Sequence, residues 1–300
     1  MNKKTKILLI IAFSLILSGC IIFGGVMTML KWDFKKLSTN KYETNTYHID
    51  KNYSNIVIET STADIKIIPT NEEISSVICY EQNNEPHSVS VIDDTLVIKI
   101  KDTKKWYENI GINFETPKIT VYLSEKEYNE LKINVSTGDI EISEDFTFNN
   151  IDVSTSTGNI TNRASTMENI KLKTSTGKIH SENITANTLD LSVTTGKIKL
   201  YKVTCNTLKS FGNTGDVELE NVVVAERLNI ERSTGDITFK DSDAGEIFIE
   251  TDTGDVKGNL LSEKIFVTET NTGTINVPES TTGGKCEIIT DTGDIIITYL

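Results

Sequence analysis

Three observations in this 300-residue chain predict an all-β, single-stranded β-solenoid: a short phrase repeated at a fixed period, period-two alternation ahead of each copy, and no useful helix-period segment after residue 36. The phrase is a small polar residue, Thr, Gly, a mostly polar residue, then Ile or Val. It occurs nine times, with glycines at Gly138, Gly158, Gly177, Gly196, Gly215, Gly235, Gly254, Gly273 and Gly293, spaced by 20, 19, 19, 19, 20, 19, 19 and 20 residues. That spacing predicts about nine coils of 19–20 residues. Stacked in sequence order at about 4.8 Å per strand, eight intervals would span about 38 Å.

Aligned on the glycine, seven residues before it stand Leu131, Ile151, Ile170, Leu189, Leu208, Leu228, Ile247, Phe266 and Cys286. Five before it, seven of nine residues are aliphatic, and two after it all nine are Ile or Val. One parity before the glycine therefore reads as the buried face of a strand, and the β-branched residues suit such a surface. Glycine supplies a corner by reaching positive φ, and the Ser, Thr, Asn or Asp two before it can hydrogen-bond nearby amides. If the Thr before the glycine and the Ile or Val after it both face inward, the corner consumes one residue of phase.

Residues 1–36 read as a membrane anchor. Ile7 to Leu30 carries no charge and is long enough to span a hydrocarbon core, and Lys3, Lys4 and Lys6 before it favour a cytoplasmic N-terminus with the repeats extracytoplasmic. Lys31, Lys35 and Lys36, partly offset by Asp33, follow the span. The same run contains Leu17-Ser18-Gly19-Cys20, which has the form of a lipobox, so a lipoprotein anchored at Cys20 is the alternative. The apolar stretch from Ile21 to Leu30 favours the retained span, because a lipidated cysteine is normally followed by a polar tether.

Residues 37–50 read as a linker, 51–130 as a β-rich cap region and 131–300 as the solenoid. Within the cap, Ser61-Thr62-Ala63-Asp64 is a degenerate copy with Ala in place of Gly, and Asp93-Asp94 joins Val89–Ile92 to Leu96–Ile100 as a hairpin. A cap is expected because a terminal coil exposes its strand edge. At the other end, Ile295 to Leu300 has no polar cap, which predicts an unpaired apolar edge open to self-association or another protein.

The strand Lys118–Leu123, then Tyr128–Ile133 running into Ser136-Thr137-Gly138-Asp139-Ile140, resembles a widespread bacterial putative-adhesin family of unknown function that includes LiaG-like cell-envelope proteins. The resemblance covers about residues 45–300. It implies a β-strand-repeat ectodomain linked with envelope stress or adhesion, and no catalytic residues to transfer.

Candidate chemistry is sparse. His48, His87 and His180 share no ligand or triad spacing and read as solvent-exposed. Cys205 and Cys286 lie about four coils, or about 20 Å, apart, too far for a disulfide, and Cys79 has no evident partner. Asp139, Asp216, Asp236, Asp255 and Asp294 follow their glycines, and Asp252 and Asp291 add carboxylates at two corners. Oxygen ligands around a turn suit Ca²⁺, so Asp252, Asp255, Asp291 and Asp294 are the candidate metal site. Against it, Lys178 and Lys197 occupy the same slot in two coils, and the row lacks the nine-residue form of calcium-binding β-rolls. No other cofactor is expected.

Residues 131–300 hold 15 Lys and Arg against 26 Asp and Glu. Such a surface disfavours nucleic acid and anionic lipid but could meet an envelope protein or cell-wall partner. A non-enzymatic, membrane-anchored envelope surface protein is the leading functional class, with a calcium-stiffened adhesin as the alternative. A carbohydrate-active β-helix ranks lower, because Tyr201, Phe211, Phe239, Phe248 and Phe266 form no stacked sugar platform.

Overall fold

The computed structural model describes residues 2–37, 41–101, 115–124 and 126–300. Parts of the expected linker and cap, at 38–40 and 102–114, lie outside them. The chain opens with helix α1 (Lys3–Met29), which is long and apolar enough to cross a membrane. Cys20 lies exposed within that helix, which continues unbroken past it.

The rest is a β-solenoid of about eight turns between its nine glycine corners. Each full coil has three straight sides. In the coil from Ile179 to Thr195, pairing with the next coil runs over 179–182, 184–186 and 188–193, and skips Asn183 and Asn187. Its inward residues are Ile179, Ser181, Ile184, Ala186, Leu189, Leu191 and Val193, all buried. Alternation within each side, restarted at each bend, sends the aliphatic rows into one axial core. Each fully buried Leu, Ile or Val contributes about 1.5–3 kcal/mol.

The three bends have different chemistry. At the glycine corner, Gly158 has φ +147°, and a Cβ there would lie 2.0 Å from the Gly138 carbonyl oxygen of the coil below. Both the backbone angle and the close stacking therefore require glycine. The second bend falls six residues later at Asn183, Lys202, Asn221 and Asp241, whose φ values of 55°, 51°, 54° and 49° are left-handed. Asn and Asp tolerate this conformation better than most residues. The third bend is marked by Asn187 and Asn206, with Asn206 Nδ2 donating to Asn187 Oδ1 at 2.7 Å.

One expectation about the corner fails. The Thr before each glycine is exposed in all nine copies. The inward residue is the one three before the glycine, where Thr174 Oγ1 donates to the Gly158 carbonyl at 3.0 Å and Thr290 Oγ1 to the Gly254 carbonyl at 3.3 Å. A hydroxyl here satisfies a corner carbonyl that would otherwise be short of a donor.

At the N-terminal end the strands are β1 (Tyr42–Ile49), β2 (Asn55–Thr62), β3 (Asp64–Thr70), β4 (Ser75–Gln82), β5 (His87–Ile92), β6 (Thr95–Ile100), β7 (Lys118–Ser124) and β8 (Tyr128–Thr137). Strand β2 pairs in parallel with β8 on one side and β6 on the other, while β3 pairs in parallel with β7. Parallel stacking thus crosses the expected boundary at 130/131, and the Ala63 corner sits directly beneath Gly138, with Ala63 N–H donating to the Thr137 carbonyl at 3.0 Å. Ala suffices because its φ is not left-handed. Antiparallel strands close this end: β4 pairs with β7, β1 with β4, and β5 with β6 through the Asp93-Asp94 turn. Residues 42–49, expected as linker, are therefore a strand.

At the C-terminal end the coils are not stacked in sequence order. Gly254 N–H donates to the Thr292 carbonyl and Gly293 N–H to the Thr272 carbonyl, both at 2.9 Å, so the Gly293 coil lies between the Gly254 and Gly273 coils. Strand Ile295–Tyr299 pairs with Val256–Leu260 on one side and Ile275–Asn276 on the other. The expected free edge is thus largely paired: Ile295 and Ile296 lie between two strands, and Ile297–Tyr299 pair on one side. The outermost coil is the Gly273 coil, where Ile265, Val267 and Ile275 are exposed. Cys205 and Cys286 consequently stand three coils apart rather than four, and both are free thiols.

Candidate functional site

The acidic row is built by the glycine corner, which places the next residue on the outside with its backbone N–H pointing at the neighbouring coil. There the carboxylates form a ladder. Asp64 Oδ1 accepts from Asp139 N–H at 3.1 Å, Asp139 Oδ1 from Asn159 N–H at 2.7 Å, and Asn159 Oδ1 from Lys178 N–H at 3.0 Å. The ladder resumes with Asp216 accepting from Asp236 at 3.2 Å, Asp236 from Asp255 at 2.8 Å and Asp255 from Asp294 at 2.8 Å, and it ends with Asp294 accepting from Thr274 at 3.0 Å. Asp or Asn in this slot thus supplies an acceptor to an amide of the next coil.

Of the four candidate calcium ligands, the corner brings Asp255 and Asp294 together and places a cation there already. Lys257 Nζ lies 2.6 Å from Asp255 Oδ2 and 3.4 Å from Asp294 Oδ2. The Lys257 ammonium, helped by the Asp294 N–H, holds the Asp255 carboxyl below the usual carboxylate range. Asp252 and Asp291 are exposed, and Asp291 Oδ1 accepts from Asn271 Nδ2 at 3.1 Å.

The outer face of one side carries a shallow groove around Phe248, lined by Lys209, Arg227, Asn229, Glu231 and Glu287. The Arg227 guanidinium lies 4.6 Å and Lys285 Nζ 5.5 Å from the Phe248 ring centroid. Asn229 and Glu287 flank Phe248 in register, so no aromatic ladder forms on this face.

Residues 53–298 of this β-solenoid match the family Toastrack DUF4097. The chain belongs to this family. Solved structures with the same fold include a putative lipid binding protein from Parabacteroides distasonis (TM-score 0.53, 20% identity, covering 87% of this Toastrack chain and 98% of that chain). They also include a putative adhesin from the same organism (TM-score 0.52, 12% identity, 86% and 98% covered) and one from Parabacteroides merdae (TM-score 0.50, 14% identity, 87% and 97% covered). No curated protein matches the chain.

One cluster in the Toastrack chain departs from the sequence expectation. His87 is 2% exposed, not a surface histidine, and it meets Glu81 and Cys79 beneath the antiparallel strands. Cys79 and Glu81 share the inward face of β4, and the 83–86 loop returns the chain so that His87 opens β5 beside them. His87 Nδ1 lies 2.5 Å and its backbone N–H 2.7 Å from Glu81 Oε2, while Asn45 Nδ2 donates to Glu81 Oε1 at 2.7 Å. His87 Nε2 is 3.0 Å from Thr60 Oγ1. Burial, and then the Glu81 charge, pushes the Cys79 thiol up to about 12. The signal was present as Cys79-x-Glu81, two potential ligands at strand period two, but nothing in the sequence brings residue 87 onto that face. The other two histidines behave as expected or nearly so: His48 is exposed, and His180 is half-buried with Nε2 3.2 Å from Glu182 Oε2.

Proposed function

We propose that this protein is a non-enzymatic, membrane-anchored, extracytoplasmic β-solenoid that acts as a cell-envelope interaction or adhesion surface. The observation that carries this reading is how the repeat's polar groups are used. The corner Asp and Asn side chains accept amides of the next coil, and the inward Thr hydroxyls donate to corner carbonyls. These groups build a stiff rod, leaving its outward faces for contact. The apolar helix α1 supplies an anchor at one end, and two structures sharing the fold are described as putative adhesins.

The negative balance of the repeats favours a basic envelope protein or a cation-bearing wall polymer over nucleic acid. The exposed Gly273 coil is the surface best suited to self-association, since one edge of Lys264–Thr272 has no strand beside it among the described residues.

Protease digestion of intact cells, followed by blotting for the N- and C-terminal ends, tests the topology. Loss of the repeats with retention of a membrane-bound N-terminal fragment is expected; repeats that stay protected until the cells are lysed would overturn it. Mass spectrometry of the purified protein separates the anchors, because an uncleaved residue 1–36 segment means a spanning helix and a diacylated Cys20 at the N-terminus means a lipoprotein. Attachment of cells deleted for the protein, compared with the parent strain, tests the adhesion role.

A further inference from the structure

We propose that Cys79, Glu81 and His87 form a binding site for one zinc-type divalent cation, with Cys79 Sγ, Glu81 Oε2 and His87 Nδ1 as ligands. These are three chemically different donors of the set that zinc prefers, and their ligand atoms lie within 4.8 Å of one another. All three residues are at least nine-tenths buried, so the site is built from the core rather than from surface carboxylates.

The surroundings match a metal site beyond the ligands. A tetrahedral ion at ordinary Zn–S, Zn–N and Zn–O lengths separates its ligand atoms by about 3.3–3.6 Å. The present 2.5 Å between His87 Nδ1 and Glu81 Oε2 would open by about 1 Å, and Cys79 would close on the pair. Thr60 Oγ1 stands at His87 Nε2, where a hydroxyl can either donate or accept. With the ion on Nδ1, the N–H of the imidazole sits on Nε2 and donates a hydrogen bond to Thr60 Oγ1. Cys79 binds as the thiolate and releases its proton to solvent. Asn45 holds Glu81 Oε1 and so fixes the carboxylate that presents Oε2. The fourth position is left for water or for a small displacement of a neighbour.

The same Glu81, His87 and Thr60 relay has the order of an acyl-transfer triad. Thr60 is itself buried, which keeps its Oγ1 from an acyl substrate.

The site locks the end of the solenoid. It ties β2, β4 and β5, which belong to the parallel stack and to the antiparallel strands that close it, so its occupancy would stiffen the part of the protein next to the membrane anchor.

Cobalt(II) is the probe, added to the full-length protein in detergent after chelation. The expected result is one equivalent bound with a thiolate-to-cobalt absorption band and tetrahedral d–d bands, displaced by one equivalent of zinc. The band should persist in Cys20→Ser, Cys205→Ser and Cys286→Ser and disappear in Cys79→Ser and His87→Gln. If either of the last two does not fold, the unmutated protein decides: stoichiometric zinc should raise its Tm and a chelator should reverse the rise. Absence of the band and of the Tm rise in the unmutated protein, or a band that survives Cys79→Ser, would overturn the proposal.

Discussion

Lys264 Nζ lies 2.7 Å from Asp243 Oδ1, and the inserted chain at Gly284 passes between their two strands. Lys264 begins the outermost coil, whereas Asp243 belongs to the coil that closes at Gly254. The lysine side chain is buried, 3% exposed, and its Asp243 partner is partly exposed at 15%. It spans the inserted strand because Gly284 has no side chain, and a Cβ there would lie 1.7 Å from the Gly245 carbonyl oxygen. The adjacent Gly283, with φ +96°, passes equally close to the Glu263 carbonyl. Gly283-Gly284 is thus the point where the chain slips between two strands. Such a pair costs desolvation, and removing either partner would leave a charge without its counterion, so the register in which the two meet is favoured over one that separates them.

The inverted order makes a direct prediction for cross-linking. Thr253 and Thr292 are register partners in adjacent strands, as are Thr272 and Thr292, but Thr253 and Thr272 are separated by a strand. Adjacent parallel strands are about 4.8 Å apart, within disulfide reach, and two spacings of about 9.6 Å are not. Thr253→Cys with Thr292→Cys should oxidise to an intramolecular bond that peptide mapping identifies, while Thr253→Cys with Thr272→Cys should stay reduced. The reverse outcome would mean that the coils stack in sequence order.

Gly177→Ala should destabilise the solenoid strongly. The new Cβ would lie 2.0 Å from the Gly158 carbonyl oxygen at a φ of +149°. Backbone strain alone costs about 1–3 kcal/mol, and the clash adds to it. Urea denaturation should show a lower midpoint; an unchanged midpoint would mean that the corners do not stack as described.

Arg232 is the inward residue of its corner, in the row otherwise dominated by Thr. Its Nη2 donates to Ser210 Oγ at 2.9 Å, while Nε and Nη1 find no acceptor among the described residues. Gly212 in the coil below makes room for it, since a Cβ there would lie 1.9 Å from Nη1. Burial lowers the Arg232 pKa to about 10. The folded state therefore binds this proton less tightly than the unfolded chain, so the charged group opposes folding at neutral pH and opposes it less as pH rises through about 10. Arg232→Met should stabilise the protein by about 1–3 kcal/mol at pH 7, with the gap to the parent narrowing above pH 10. A variant less stable than the parent at pH 7 would show that the guanidinium has a buried partner.

Calcium at about 5–10 mM, suited to weak extracellular sites, should leave the parent Tm unchanged because Lys257 already serves Asp255 and Asp294. A calcium-dependent rise would favour the calcium-stiffened adhesin. The same contact sets an acid response. Asp255 is held below its unfolded value, so its contribution is present above the ordinary carboxylate pKa and is lost as pH falls through the depressed folded value. Lys257→Ala should therefore lessen the acid-dependent loss of stability, by a small amount that salt reduces further because the pair is solvent-exposed.

By itself the sequence determined the coil. The glycine period, the Ile or Val after each glycine, buried in all but the outermost coil, and the alternating aliphatic rows are local consequences of strand geometry and positive φ, so they could be read from residues such as Leu189, Leu191, Gly196 and Ile198. The anchor helix was equally legible, from a charge-free run. Tertiary structure decided the rest. Which coil stacks on which was hidden because Gly273 and Gly293 keep the period whichever of them lies outside, and any parallel strand with the right rows can pair with any other. The second bend was hidden because Asn183, Lys202, Asn221 and Asp241 share a backbone angle, not a side chain. The meeting of Cys79, Glu81 and His87 depends on a loop return and on antiparallel pairing, neither of which has a period to read. Periodic contacts repeat their cause in every copy, whereas a contact made once at an end of the stack is written only in three dimensions.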